Sequence, residues 1–171
     1  MSRYVVDTNV PIVANGVPDR ANGGRSPALA CRVAAVQFLQ KLLSNGTIVL
    51  DLEGMVQAEY HRHLKPRGEP GVGDRFYLEV LRSSPSRVER VSLPLSSNGE
   101  YLEFPNDAAL STFDPSDRKF VALSHKTKAP IVVTIDRGWV RHNVTLATHG
   151  VTVEFLCGTD RAAWFDTSLQ V

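Results

Sequence analysis

Four carboxylates stand beside four separate apolar segments of the chain: Asp7 after RYVV, Glu59 within MVQAEYHRHL, Asp117 ahead of RKFVALS and Asp136 after IVVTI. An acid that follows a buried strand, or opens a helix beside one, belongs at the edge of a sheet. Carboxylates gathered there repel: at roughly 5 Å and an effective dielectric near 20, each pair costs about 3 kcal/mol. A divalent cation offsets that cost, and an all-oxygen ligand set suits Mg²⁺ or Mn²⁺ rather than zinc. Such a centre activates water and neutralises charge growing on a phosphate. Asp7, Glu59, Asp117 and Asp136 are therefore the expected metal-ligating and catalytic residues.

Neighbouring polar residues have supporting parts in this scheme. Thr8, Asn9 and Thr134 carry a hydroxyl or amide that can orient a carboxylate or a bound water. Asp114, before Pro115, suits the free amides of a helix start, with an auxiliary place at the metal. Asp51 reads as a helix cap and Glu53 as a first-turn acid favoured by the helix dipole. Arg62, Arg118 and Arg137 are the candidates for contact with backbone phosphates. His61 and His63 flank Arg62 and point to different helix faces. No histidine shows ligand spacing, and neither a Ser-His-Asp arrangement nor a glycine-rich phosphate loop is present.

The elements that must position these groups follow from the apolar pattern. Tyr4–Val6, Thr47–Leu50, Ile131–Ile135 and Val151–Leu156 read as strands, the first three apolar enough to be buried on both faces. Residues 7–25, with Pro11, Gly16, Pro18, Gly23 and Gly24, read as a loop. Ser26 and Pro27 then open a long, largely buried helix that Gly46 closes. Helices are expected over 54–64 and 75–82, from Asp114 onward, and after Asp136. Residues 66–74 read as a loop, and 83–113 carry no clear period. Strands separated by helices imply an α/β protein, a sandwich with a mostly parallel sheet. In such sheets sites form beyond the carboxyl ends of the strands, where the four acids would meet.

Composition sets the outer limits. The 171 residues suffice for one domain, 1–171, with a sizeable core. No apolar run reaches the ~20 residues of a membrane span, so no membrane partner is expected. MSRYVVDTN passes directly into a strand, which leads to the expectation of a cytoplasmic protein. Cys31 and Cys157 lie in apolar surroundings far apart and read as two small hydrophobes. A net charge of +1 excludes a uniformly basic surface, yet residues 116–149 hold six Lys and Arg against Asp117 and Asp136. That local excess suits an anionic polymer.

Taken together, VVDTNV (5–10), the helical Glu of MVQAEYHRHL, DPSDRKFVALS (114–124), VVTIDRGW (132–139) and HGVTVEFL (149–156) resemble the PIN-domain nucleases. The resemblance spans nearly the whole chain, with 66–113 unassigned in detail. It implies a three-layer α/β/α sandwich with a mostly parallel central sheet and carries the acidic site onto Asp7, Glu59, Asp117 and Asp136. It further implies a Mg²⁺- or Mn²⁺-dependent endoribonuclease acting on single-stranded or structured RNA and leaving a 5′-phosphate and a 3′-hydroxyl. The toxin of a toxin–antitoxin pair would have an antitoxin protein as partner, and a homodimer is expected by analogy. One position departs from the pattern: some members carry an acid two residues beyond the last Asp, and here Gly138 stands there. The competing expectations are a DNA-directed or structure-specific nuclease and a catalytically silent RNA-binding module. A phospho-receiver reading fails, because IVVTIDRGW lacks the required Lys and VVDTNV the acid pair.

Overall fold

The computed structural model describes residues 2–20 and 23–167. Five parallel strands, β1 (Ser2–Val6), β2 (Gly46–Asp51), β3 (Val88–Val91), β4 (Ile131–Val133) and β5 (Val153–Phe155), form one sheet in the order β3-β2-β1-β4-β5. Six α-helices among the described residues flank it: α1 (Asn9–Ala14), α2 (Leu29–Asn45), α3 (Met55–His63), α4 (Val72–Arg82), α5 (Arg118–Thr127) and α6 (Arg137–Thr148). The architecture is a three-layer α/β/α sandwich, as the resemblance implies. Val5, Val6, Val49, Leu50, Ile131, Val132 and Val133 are almost fully enclosed. Such unbroken burial is what helices on both faces of a parallel sheet require.

β1 is the central strand, and the winding reverses beside it: β2 and β3 lie to one side, β4 and β5 to the other. Val5 pairs with Ile131 and Val6 with Val132, and the amide of Asp7 donates to the carbonyl of Val132 at 3.0 Å. Asp7 and Asp136 therefore leave neighbouring strands at the switch point, where a crevice opens in such sheets.

Several expected boundaries move, each for a local reason. The loop placed over 7–25 contains α1. Pro11 is accommodated in its first turn, where an N–H would have no helical partner. The long helix starts at Leu29 rather than Pro27, because residues 26–28 pair with the far end of the chain. Ala28 donates to the carbonyl of Trp164 at 2.8 Å, and Asp166 donates to that of Ser26 at 3.1 Å. Nor is α2 largely buried: Cys31, Ala35, Leu39 and Leu42 form one inward stripe, while Leu29 is 67% exposed. α4 begins three residues earlier than expected, at Val72. β3 emerges from the stretch that showed no period, and its short length explains the silence.

Cys31 and Cys157 are joined in a disulfide, contrary to the expectation of two independent hydrophobes. The bond ties the first turn of α2 to the segment after β5, across a separation of 126 residues. Nothing local signals the pairing, since the return of residues 157–166 over the start of α2 creates it. No helix among the described residues is long and apolar enough to cross a membrane.

Candidate active site

β1 delivers the first acid. Asp7 is 2% exposed and accepts from the backbone amide of Asn9 at 3.2 Å. α3 delivers the second. Gly54, at φ 83° in the left-handed region that glycine tolerates, turns the chain into this helix. Asp51 accepts from the amides of Met55 at 2.6 Å and Val56 at 2.9 Å, which makes it the cap expected of it. Glu53 lies outside the helix, and its carboxylate binds the amide of Leu93 and the hydroxyl of Ser92. The buried Tyr60 donates to the carbonyl of Val6 at 2.5 Å, which pins α3 beside the end of β1. Glu59, its neighbour, thereby reaches the switch point.

The third and fourth acids come from helix starts. Asp114 caps a 3-10 turn over Pro115–Asp117, accepting from the amide and hydroxyl of Ser116, both at 2.8 Å. With that work done by Asp114, Asp117 makes no capping bond at the start of α5, and its carboxylate is left for the site. Asp136 does cap α6: one oxygen accepts from the amide of Gly138 at 2.6 Å, and the other faces the Asn9 amide at 3.5 Å.

Three of these carboxylates are raised above their usual range. Asp7 is held well above the usual carboxylate range, first by burial and then by the charges of Asp117, Asp136 and Glu59. Asp117 is pushed up to about 7, by burial first and then by Asp136, Asp114 and Glu59. Asp136 is raised by burial, against hydrogen bonds from Gly138 and Trp139 that favour its charged form. A protein that keeps such a cluster forfeits stability for it, which marks a functional site more often than a scaffold.

One cation already sits among them. Lys119, 6% exposed, forms an ion pair with Glu59 and donates to the carbonyl of Ser116. Thr8 donates to the other Glu59 oxygen at 2.5 Å. Apart from its count in the basic segment, nothing in the sequence distinguishes Lys119.

Asp7, Asp117 and Asp136 offer oxygen ligands only, the type that a hard divalent cation takes. Thr134, two residues before Asp136, has a fully buried hydroxyl without a hydrogen-bond partner among the described residues. As the side chains stand, no three His, Cys, Asp or Glu groups among the described residues close on one point.

Two hollows meet beside Asp136, sharing Asn9, Asp19 and Ile135. One, of about 390 Å³, contains Asp117, Asp136, Arg137, Arg141 and the buried His142. The other, of about 770 Å³, contains Arg20, Arg62, His63 and Lys65 together with Asp19, Glu69 and Asp74. Arg62, Lys65, Arg137 and Arg141 are exposed, and none is in a salt bridge among the described residues. Arg118 is differently placed. It pairs with Glu100 at 2.7 Å and stacks over Phe104, committed to the fold rather than offered to a ligand.

No protein-family model and no curated protein matches the chain. Among solved structures it is similar to a domain of a functionally unknown protein from Methanocaldococcus jannaschii DSM 2661. The identity is 17%, the match covers 94% of each chain, and the TM-score is 0.41.

Proposed function

We propose that this chain is a PIN-like, metal-dependent nuclease that hydrolyses phosphodiester bonds in RNA. The observation that supports the reading is the burial of Asp7 at the switch point of a parallel sheet, under the charges of Asp117, Asp136 and Glu59. Asp7, Asp117 and Asp136 would hold Mg²⁺ or Mn²⁺. When bound, the cation supplies an activated water and neutralises charge that grows on the phosphate.

The remaining residues bind, orient and enclose. Asn9 bridges Asp7, through its amide, and Asp136, through its side chain. Thr8 and Lys119 fix the rotamer of Glu59. Arg137 and Arg141 in one hollow, with Arg62 and Lys65 in the other, would bind phosphates flanking the one that reacts. A phosphate chain that passes the acids in both directions is cut internally, which favours an endonuclease. A cytoplasmic setting would place the enzyme with its RNA, and there the thiol pool opposes the Cys31–Cys157 bond. An antitoxin protein and a homodimer belong to the same reading as partners.

The test is cleavage of end-labelled single-stranded RNA, with single-stranded and branched DNA in parallel, in Mn²⁺ and in chelator. The reading expects Mn²⁺-dependent internal cleavage of RNA, lost in Asp7→Asn with an unchanged circular dichroism spectrum. Preferential cutting of DNA would move the assignment to a DNA-directed nuclease. No cutting and no Mn²⁺ binding would leave a silent RNA-binding module.

A further inference from the structure

The backbone beside each half of the Cys31–Cys157 disulfide grips the same residue, Trp164. Gly158, which follows Cys157, accepts the indole N–H on its carbonyl at 3.0 Å. Ala28, three residues before Cys31, donates its amide to the Trp164 carbonyl at 2.8 Å. The S–S bond closes this ring of contacts around the tryptophan. Trp164 in turn lines the hollow that contains Asp19, Asp114, Asp117 and Asp136.

A chain of 171 residues buries enough apolar surface to fold without a cross-link. What the bond secures is local. Without it, two backbone hydrogen bonds, from Ala28 and from Asp166, and the burial of Trp164 and Phe165 hold this segment to the start of α2.

The bond is also open to attack from one side. Cys31 is 4% exposed, whereas Cys157 is half-buried and residues 158–163 beyond it are all exposed. A small thiol meets the Cys157 sulfur first. Its thiolate bonds to that sulfur as the Cys31–Cys157 bond breaks, and Cys31 leaves as a thiolate that takes up a proton. A second thiol attacks the mixed disulfide, frees Cys157 and departs with the first as a small disulfide. Two electrons pass from the thiol pair to the protein, and both cysteines end as thiols.

We propose that the Cys31–Cys157 bond is a thiol-sensitive clasp: it holds Trp164 in the wall of the acidic hollow, and a small thiol releases that wall, with loss of activity at the site, while the sheet stays folded. The effect on cleavage rests on the nuclease reading; the release of Trp164 does not.

The experiment follows backbone amide exchange by nuclear magnetic resonance in the full chain, untreated and after excess reduced glutathione, with mass spectrometry of alkylated thiols to count the bond. The untreated chain should carry the disulfide. On reduction the amides of Ala28 and Asp166 should exchange roughly tenfold faster or more, while those of β1 and β4 keep their protection. Acrylamide should quench tryptophan fluorescence more strongly after reduction, and Trp164→Phe should abolish that increase, since Trp139 is fully buried. The double variant Cys31→Ser/Cys157→Ser should show the released state without thiol. Free thiols in the untreated chain, equal protection of Ala28 and Asp166 in both states, or loss of protection throughout the sheet would each overturn the proposal. Should Trp164→Phe fail to fold, the exchange of Ala28 and Asp166 decides. In the RNA assay the disulfide form should cut several-fold faster than the reduced form. Equal cutting with Trp164 released overturns the control of the site and leaves the nuclease standing. No cutting by either form overturns the nuclease reading, and amide exchange alone then decides the clasp.

Discussion

The hydroxyl of Tyr60 donates to the carbonyl of Val6 at 2.5 Å, in full burial, one residue before Asp7 and one after Glu59. This contact sets the distance between two of the four acids. Tyr60→Phe leaves the carbonyl of Val6 without that donor, at a cost of about 1–3 kcal/mol. Urea denaturation should show this loss with an unchanged slope. A variant as stable as wild type would mean that the bond does not hold α3 to β1.

Asp136 has two duties that substitution can separate. Asparagine caps a helix about as well as aspartate, whereas alanine in place of a cap costs roughly 1 kcal/mol. Asp136→Asn should therefore melt close to wild type, Asp136→Ala several degrees lower, and neither should cleave RNA. Cleavage by either variant would remove Asp136 from the site.

The pH dependence has a definite sign. Asp117 ionises near 7 in the folded protein against an ordinary 3.8, so the folded state holds its proton more tightly than the unfolded chain. Its contribution to stability is complete below the ordinary value and is lost as pH rises through about 7. In chelator, the melting temperature of wild type relative to Asp117→Asn should fall between about pH 5 and pH 7.5. Saturating Mn²⁺ should flatten or reverse that fall. A difference that rises with pH in chelator would contradict the coupling described above.

Reducing the Cys31–Cys157 bond, or replacing Cys31 by Ser, should destabilise the chain by about 2–5 kcal/mol. The bond anchors the segment that carries Trp164, which lines the hollow beside Asp117 and Asp136. Thermal melts with and without reductant check the first point. Equal melts would mean that the two thiols are not bonded in solution.

What the sequence made legible was periodicity and punctuation. The β-branched runs announced β1, β2 and β4, and the acids that follow them mark the strand ends. Asp51 and Asp114 were readable as caps because a helix start needs an acceptor within a few residues. Relations between distant segments left no such trace. Lys119 looks like any surface lysine until α5 is laid against α3. Arg118 likewise resembled a free cation until Glu100 and Phe104 folded against it. α1 was hidden by Pro11, which ordinarily breaks a helix but sits here where no bond is lost. Its packing against α4 depends on Gly73, where a Cβ would stand 2.0 Å from the Pro11 carbonyl, a constraint visible only in three dimensions.

The link between Cys31 and Cys157 turns most of the polypeptide into a covalent ring, with the two termini as its tails. A protease that nicks any exposed turn inside the ring releases no fragment. The cut chain travels as one species in a non-reducing gel and separates into two only when thiol is added. Backbone scission and dissociation are therefore distinct events in this molecule, and a broken copy can remain assembled around its acids.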